Sequence, residues 1–289
     1  MRRPGTGSLL APDARAALAT ALADPIFELI PLRNLEEQLA FLPPGALVSV
    51  TASPAKGLEV TLDWAARLSA AGFRAIPHLS ARMVRDRAEL ASLLDFARAA
   101  GLSRVFVVGG DADIPGDFPD GLSLLRAIDE LGSPFEEAGC PCYPQGHPVI
   151  PDEALLGALL AKAPLVGHVT TQLGFDTSAI ARWVAARRAA GFTPDVVVGV
   201  PGVADPQRLL SIATRIGVTD SRKFLARNLR FAAGLAKTGG FYKPTSFVEG
   251  LAPLLADPAA RVTGFHLYTF NAVEPTEAWR REMLDRLAG

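Results

Sequence analysis

Short apolar runs alternate with amphipathic stretches along nearly the whole chain. Eight runs, at 26–30, 46–51, 74–78, 104–109, 138–143, 167–172, 195–200 and 262–267, are too short for helices. Most are rich in Val, Ile or Phe and close on Pro, Gly or a polar residue, which is the signature of buried strands. Between them, 58–71, 87–100 and 180–190 repeat apolar positions at helical spacing. Each ends at a glycine, Gly72, Gly101 or Gly191, a natural left-handed stop. The helix–Ala–Gly–strand echo at these three places is a repeated αβ loop rather than a solenoid repeat.

Strands that alternate strictly with helices pair in parallel through right-handed crossovers. Eight such units match a single (β/α)8 barrel of the α/β class, which routinely runs to ~250 residues as one domain. An open doubly wound sheet would want a glycine-rich turn after the first strand, and 26–33 contains no glycine. One segment breaks the rhythm: about sixty residues separate the seventh and eighth runs, far more than one crossover needs. They read as an enlarged helical segment with helices at 206–216, 221–236 and 246–256. Thr245 or Ser246 is the expected N-cap of the last, with Glu249 placed for a capping box. There is no linker, so 1–289 reads as one domain, its first 1–20 a loosely ordered tail.

Composition narrows the function. Of 289 residues, 49% are hydrophobic and 20% charged, which suits a packed core. A net charge of -1 argues against nucleic-acid binding or a polybasic membrane surface. Two cysteines, Cys140 and Cys142, cannot staple a chain this long, so a reduced, cytoplasmic setting is expected. No apolar run reaches the ~18 residues of a membrane span. Arg2 and Arg3 precede Pro4, Gly5 and Gly7 where a signal peptide would need its apolar core. Composition leaves the oligomeric state open.

In such a barrel the βα loops converge at the carboxyl ends of the strands and build the active site there. That filter selects Glu28, Ser49, Thr51, His78, the Gly109–Gly110–Asp111 run, Tyr143, His147, Gln172, Gly199–Gly202, His266, Tyr268, Thr269 and Asn271. Bland alternatives exist for several. Glu28 is either a functional acid or a structural ion pair, Asp111 a site carboxylate or a turn cap, and His147 a site residue or surface. His168, inside the sixth strand, reads as structural. Cys140-Pro-Cys142 with His147 lacks the spacing of a zinc knuckle, and nothing favours Glu28, His78 and His147 as a ligand set, so no metal is expected. No Gly-x-Ser-x-Gly elbow is present.

Several motifs together resemble one family. Phe27-Glu28-Leu29-Ile30-Pro31-Leu32-Arg33, Val48-Ser49-Val50-Thr51, Pro77-His78-Leu79-Ser80 and Gly109-Gly110-Asp111 resemble, in order, the opening motifs of methylenetetrahydrofolate reductases. Tyr143-Pro144-x-x-His147-Pro148, Thr171-Gln172-x-x-Phe175-Asp176, Val200-Pro201-Gly202 and Gly264-Phe265-His266-Leu267-Tyr268-Thr269-x-Asn271 continue the match. The resemblance implies a barrel that reduces 5,10-methylenetetrahydrofolate to 5-methyltetrahydrofolate in one-carbon metabolism, with NADH or NADPH as hydride donor and FAD as cofactor. Carried over, Glu28 is the catalytic acid, and Asp111 sets the polarity beside flavin and pterin. Gln172 binds the pterin, and Leu209 stands where the family packs a phenylalanine on substrate or nicotinamide. Thr51, His78, Gly109, Gly110, Tyr143 and His147 fall in the flavin pocket.

The departures concentrate on one helix. The Asp, Asn and Arg-Lys that hold FAD in the family are replaced by Ala154, Gly157, Leu160 and Ala161, and the Arg of Arg-Gly-Asp by Gly109. Each lost charge-assisted contact is worth ~1.5–3 kcal/mol. Lys162, one position on, is the only candidate substitute. The resemblance therefore admits hydride transfer through a differently held FAD or directly from nicotinamide to folate. A tetrahydrofolate-dependent methyltransferase and a non-catalytic folate- or flavin-binding barrel are the competing functions.

Overall fold

The computed structural model describes residues 10–32, 34–110, 112, 114–205 and 241–289. Eight parallel strands close into a barrel in chain order. They are β1 (Ile26–Leu29), β2 (Leu47–Val50), β3 (Arg74–Ser80), β4 (Arg104–Val108), β5 (Glu137–Cys142), β6 (His168–Thr171), β7 (Asp195–Pro201) and β8 (Val262–Tyr268). The helices described are α1 (Pro12–Ala23), α2 (Leu35–Leu39), α3 (Leu58–Ala70), α4 (Arg87–Ala99), α5 (Gly121–Glu130), α6 (Asp152–Lys162), α7 (Thr177–Ala189), α8 (Thr245–Ala256) and α9 (Val273–Ala288). The molecule is thus the expected α/β barrel.

Strand alternation sorts the side chains into two cores. Phe27, Leu29, Val48, Val50, Val105 and Val198 face outward and form, with the helices, one continuous apolar layer. Ile26, Ile76, Phe106 and Val197 face inward and plug the barrel. Acidic caps start three of the helices. Asp86 Oδ1 accepts from Glu89 N at 2.8 Å, Asp120 Oδ1 from Ser123 N at 2.8 Å, and Asp176 Oδ1 from Ala179 N at 3.0 Å. At the far ends of α3, α4 and α7, Gly72, Gly101 and Gly191 take φ of 87°, 66° and 80°, as the repeated loop requires.

Three expectations change. The segment taken for a tail is ordered from residue 12: α1 buries Ala14, Leu18, Ala21 and Leu22 at helical spacing against α8 and α9. Buried Arg280 donates from Nη1 to Leu22 O at 2.8 Å, satisfying an end carbonyl of α1. Such an Ala-rich helix carries little amphipathic contrast, so the burial comes from tertiary packing. The capping box of α8 is absent. Pro244 is its N-cap, Thr245 Oγ1 accepts from Trp279 Nε1 at 3.0 Å, and Glu249 pairs with Arg286 at 2.8 Å. Finally, β3 runs on to Ser80, because its register with β4 continues through Ser80 opposite Val108. The helices expected at 206–216 and 221–236 lie outside the described residues.

Candidate active site

β1 is short, and its position is set by β8. Thr269 Oγ1 donates to Glu28 O at 2.5 Å. Asn271 then clamps Ile30, its Oδ1 accepting from Ile30 N and its Nδ2 donating to Ile30 O, both at 2.8 Å. Asn271 does this with a φ of 58°. Thr269 and Asn271, expected at the mouth as chemistry, are the fastening that aims Glu28 inward.

The Glu28 side chain is 12% exposed, and its Oε2 meets Nε2 of the buried His266 at 3.1 Å. Rings pack closely around this pair: His78 on Phe106 at 4.8 Å and His266 on Tyr268 at 4.9 Å between centroids. The extension of β3 sinks His78 below the rim into this cluster. Burial lowers its pKa to about 4, with Glu28 pulling the other way and His266 adding to the fall. His78 is therefore neutral at neutral pH. Burial, reinforced by the nearby Glu28, pushes the Tyr268 hydroxyl well above its usual range. That hydroxyl donates to Thr171 O at 3.0 Å.

Several buried polar atoms here have no hydrogen-bond partner: Ser49 Oγ, His78 Nε2, Ser80 Oγ, Thr170 Oγ1 and His266 Nδ1. Unsatisfied buried groups cost free energy and suit a site that takes up polar atoms from outside, and His168 Nε2 adds one more toward the other end of the barrel. Sequence reasoning placed His266 near the mouth without choosing it. The signal available was strand parity: His266 and Tyr268 share a face, and the register sets Tyr268 against Glu28.

The remaining candidates ring the mouth. Gly110 has φ 90°, and a Cβ there would fall 1.8 Å from Ser80 Oγ, so only glycine fits between the β4 loop and β3. Gly109 O accepts from Arg82 N at 3.0 Å. Thr51, half-buried just past β2, donates its backbone N to Leu29 O at 3.0 Å. Tyr143 and His147 meet edge to face at 5.1 Å. His147 Nδ1 also accepts from the backbone N of Val149 and Ile150, at 3.3 and 3.2 Å, which shapes the β5 loop. Gln172 folds back so that its Oε1 accepts from Leu173 N at 2.8 Å. Asp111 and Leu209 lie outside the described residues.

Beyond the β5 loop, α6 buries only Leu159. Ala154, Gly157 and Leu160 are exposed and Ala161 is half-buried, rather than packed into neighbouring helices. Lys162 is half-buried and its charge opposes the rise that burial causes in the Cys140 pKa. Burial raises the pKa of both Cys140 and Cys142. Among the described residues no group of three or more His, Cys, Asp or Glu side chains is arranged to hold a metal ion. Nor is any helix among them long and apolar enough to cross a membrane.

A closed parallel barrel with a carboxylate–imidazole pair in its C-terminal mouth has the architecture in which barrel enzymes build their active sites. The sequence model of the methylenetetrahydrofolate reductase family matches residues 32–282, and the chain belongs to that family. Family membership makes it an oxidoreductase of the methylenetetrahydrofolate reductase type. Solved structures share the fold alone. Tryptophan synthase from Mycobacterium tuberculosis aligns at TM-score 0.50 and 15% identity, over 97% of this chain and 98% of that one. A family GH18 chitinase from Cycas revoluta aligns at TM-score 0.52 and 11% identity, over 92% and 99%.

Proposed function

We propose that the protein reduces 5,10-methylenetetrahydrofolate to 5-methyltetrahydrofolate with hydride taken directly from a reduced nicotinamide. The observation that carries this reading is Glu28, an enclosed carboxyl with an imidazole partner at 3.1 Å, at the mouth of a reductase-family barrel. As the bond between the bridging carbon and N10 breaks, its electron pair stays on N10, which takes the proton of Glu28. The N5 iminium so formed accepts hydride from C4 of the nicotinamide and becomes the N5-methyl group. His266 Nε2 is placed to return a proton to Glu28. Gln172 exchanges its bond to Leu173 N for the pterin edge, and by resemblance Asp111 and Leu209 complete the contact.

FAD supplies the hydride relay in the wider family, and the residues present do not fit it. Its diphosphate would face exposed Ala154, Gly157 and Leu160, none of which donates a hydrogen bond, and a Cβ on Gly157 would meet nothing within 4 Å. An apolar helix face cannot offset the desolvation of two phosphate charges. No step is therefore routed through flavin. The test is NADH oxidation by the purified protein with methylenetetrahydrofolate in flavin-free buffer, together with its visible spectrum. Turnover by a colourless protein supports direct transfer. A protein that purifies yellow with stoichiometric FAD, or needs added FAD to turn over, overturns it.

A further inference from the structure

Beside the mouth, the loops that leave β2, β3 and β4 enclose a groove of about 420 Å³, within the size range of ligand sites. We propose that this groove binds the adenosine diphosphate end of the nicotinamide dinucleotide and selects NADH over NADPH. The proposal rests on the reductase reading for its ligand, and on the groove itself for its chemistry.

The groove adjoins Gly109–Gly110 at the mouth and is built before any ligand arrives. Arg82 N donates to Gly109 O at 3.0 Å, Gly116 N to Arg82 O at 3.3 Å and Asp117 N to Arg85 O at 2.9 Å. Arg82 Nε donates to Ala112 O at 2.8 Å. These bonds fasten the β4 loop along the segment after β3, so little ordering is left to oppose binding.

Its lining is mixed in a way that suits one ligand class. Met83, Pro54 and Ile114 offer apolar walls to a planar base, and Ile114 is 87% exposed, unusual for so apolar a residue. Arg82 and Arg85 bring guanidinium charge for a diphosphate, with Arg85 exchanging its 2.8 Å pair with Asp86 for the ligand. Glu59 and Glu89 bring carboxylates, which accept hydrogen bonds from ribose hydroxyls as acidic residues do in other dinucleotide sites. The same carboxylates disfavour a 2′-phosphate, and equally the carboxylates of folate's glutamyl tail. A bare phosphate site would have no use for them.

The experiment compares NADH, NADPH and reduced nicotinamide mononucleotide, which lacks the adenosine phosphate, on the wild-type protein, Arg85→Glu and Glu59→Gln. Calorimetric titration with ADP runs in parallel. Arg85 is exposed, so its reversal is compatible with folding, and the melting temperature checks this. Expected are ADP competition against NADH, a KM for NADPH roughly tenfold above that for NADH, and a rise of roughly tenfold in KM for NADH in Arg85→Glu, about the loss of one charge-assisted contact. The mononucleotide should be used equally by both proteins, and Glu59→Gln should narrow the preference for NADH. An unchanged KM for NADH in Arg85→Glu, or no ADP binding by a protein that does turn over, overturns the proposal. A rise in KM for the folate instead assigns the groove to the glutamyl tail and also overturns it. ADP binding that Arg85→Glu abolishes, in a protein without reductase turnover, keeps the groove and sinks the reductase reading.

Discussion

Two carboxylate–imidazole pairs sit inside the same barrel, one at each end. At the N-terminal end His168 Nδ1 meets Glu137 Oε1 at 2.8 Å, and Arg104 Nε donates to the other oxygen at 3.0 Å. At the C-terminal end Glu28 pairs with His266, and among the described residues no guanidinium joins it. The hydrogen bond from His168, helped by Arg104, holds the Glu137 carboxyl down at about 2. Such a group stays ionised at every working pH and has no proton to give. Glu28 shares its surroundings with a neutral His78, the Tyr268 hydroxyl and several unpartnered polar atoms. The same two residue types therefore make a guanidinium-held brace at one end and, in the proposed reaction, the acid at the other. The arginine marks the difference, since unpartnered buried polar atoms occur at both ends, His168 Nε2 among them.

The sharpest way to break this comparison is to neutralise both carboxyls. Glu28→Gln keeps the shape without the donor, so turnover should fall by roughly 10²–10⁴ while folate still binds. Steady-state assay and folate titration read this, and a rate within a few-fold of the parent would remove Glu28 from the mechanism. The α6 helix offers a gain-of-function counterpart. Placing Arg at 160 and Lys at 161 restores charge on its exposed face, and each contact should add ~1.5–3 kcal/mol to FAD affinity. Fluorescence titration with FAD checks it; no gain would mean that α6 does not face the cofactor.

Acid sensitivity should follow His78. An unfolded imidazole takes up its proton near 6.5, whereas the folded His78 resists down to about 4. Between these values the unfolded chain binds more protons, so stability falls as the pH drops through this window. The loss is at most about 1.4 kcal/mol per pH unit, with none from this group above 6.5. Melting temperatures across that range should fall less steeply in His78→Asn. The smallest effect belongs to Glu137→Gln. Its pair is 38% exposed on the Glu137 side, so screening limits the cost to about 1 kcal/mol. Turnover should stay within about two-fold of the parent. What Glu137 contributes is present above about 4.5 and lost as the pH falls toward 2.

Legibility differed between fold and site. The shortness and Val, Ile and Phe content of the apolar runs, the glycines that stop α3, α4 and α7, and the family-like motifs were all local signals, and they sufficed for the barrel and its family. Glu28 was visible as a lone carboxylate in an apolar strand. Helix α1 was hidden because an Ala-rich stretch has little contrast of its own, and the false capping box at α8 because Glu249 found a better partner in Arg286 across the fold. Thr269 and Asn271 carry the right atoms for chemistry, and only their distances to β1 show them to be fastenings. By itself the sequence determined which residue types stand at which strand ends, since backbone alternation is a local property. Only the tertiary structure decided which carboxyl gains an arginine beside its imidazole and which, among the described residues, does not, because the partners lie 238 residues apart for Glu28 and His266, and the closing of the barrel brings them together.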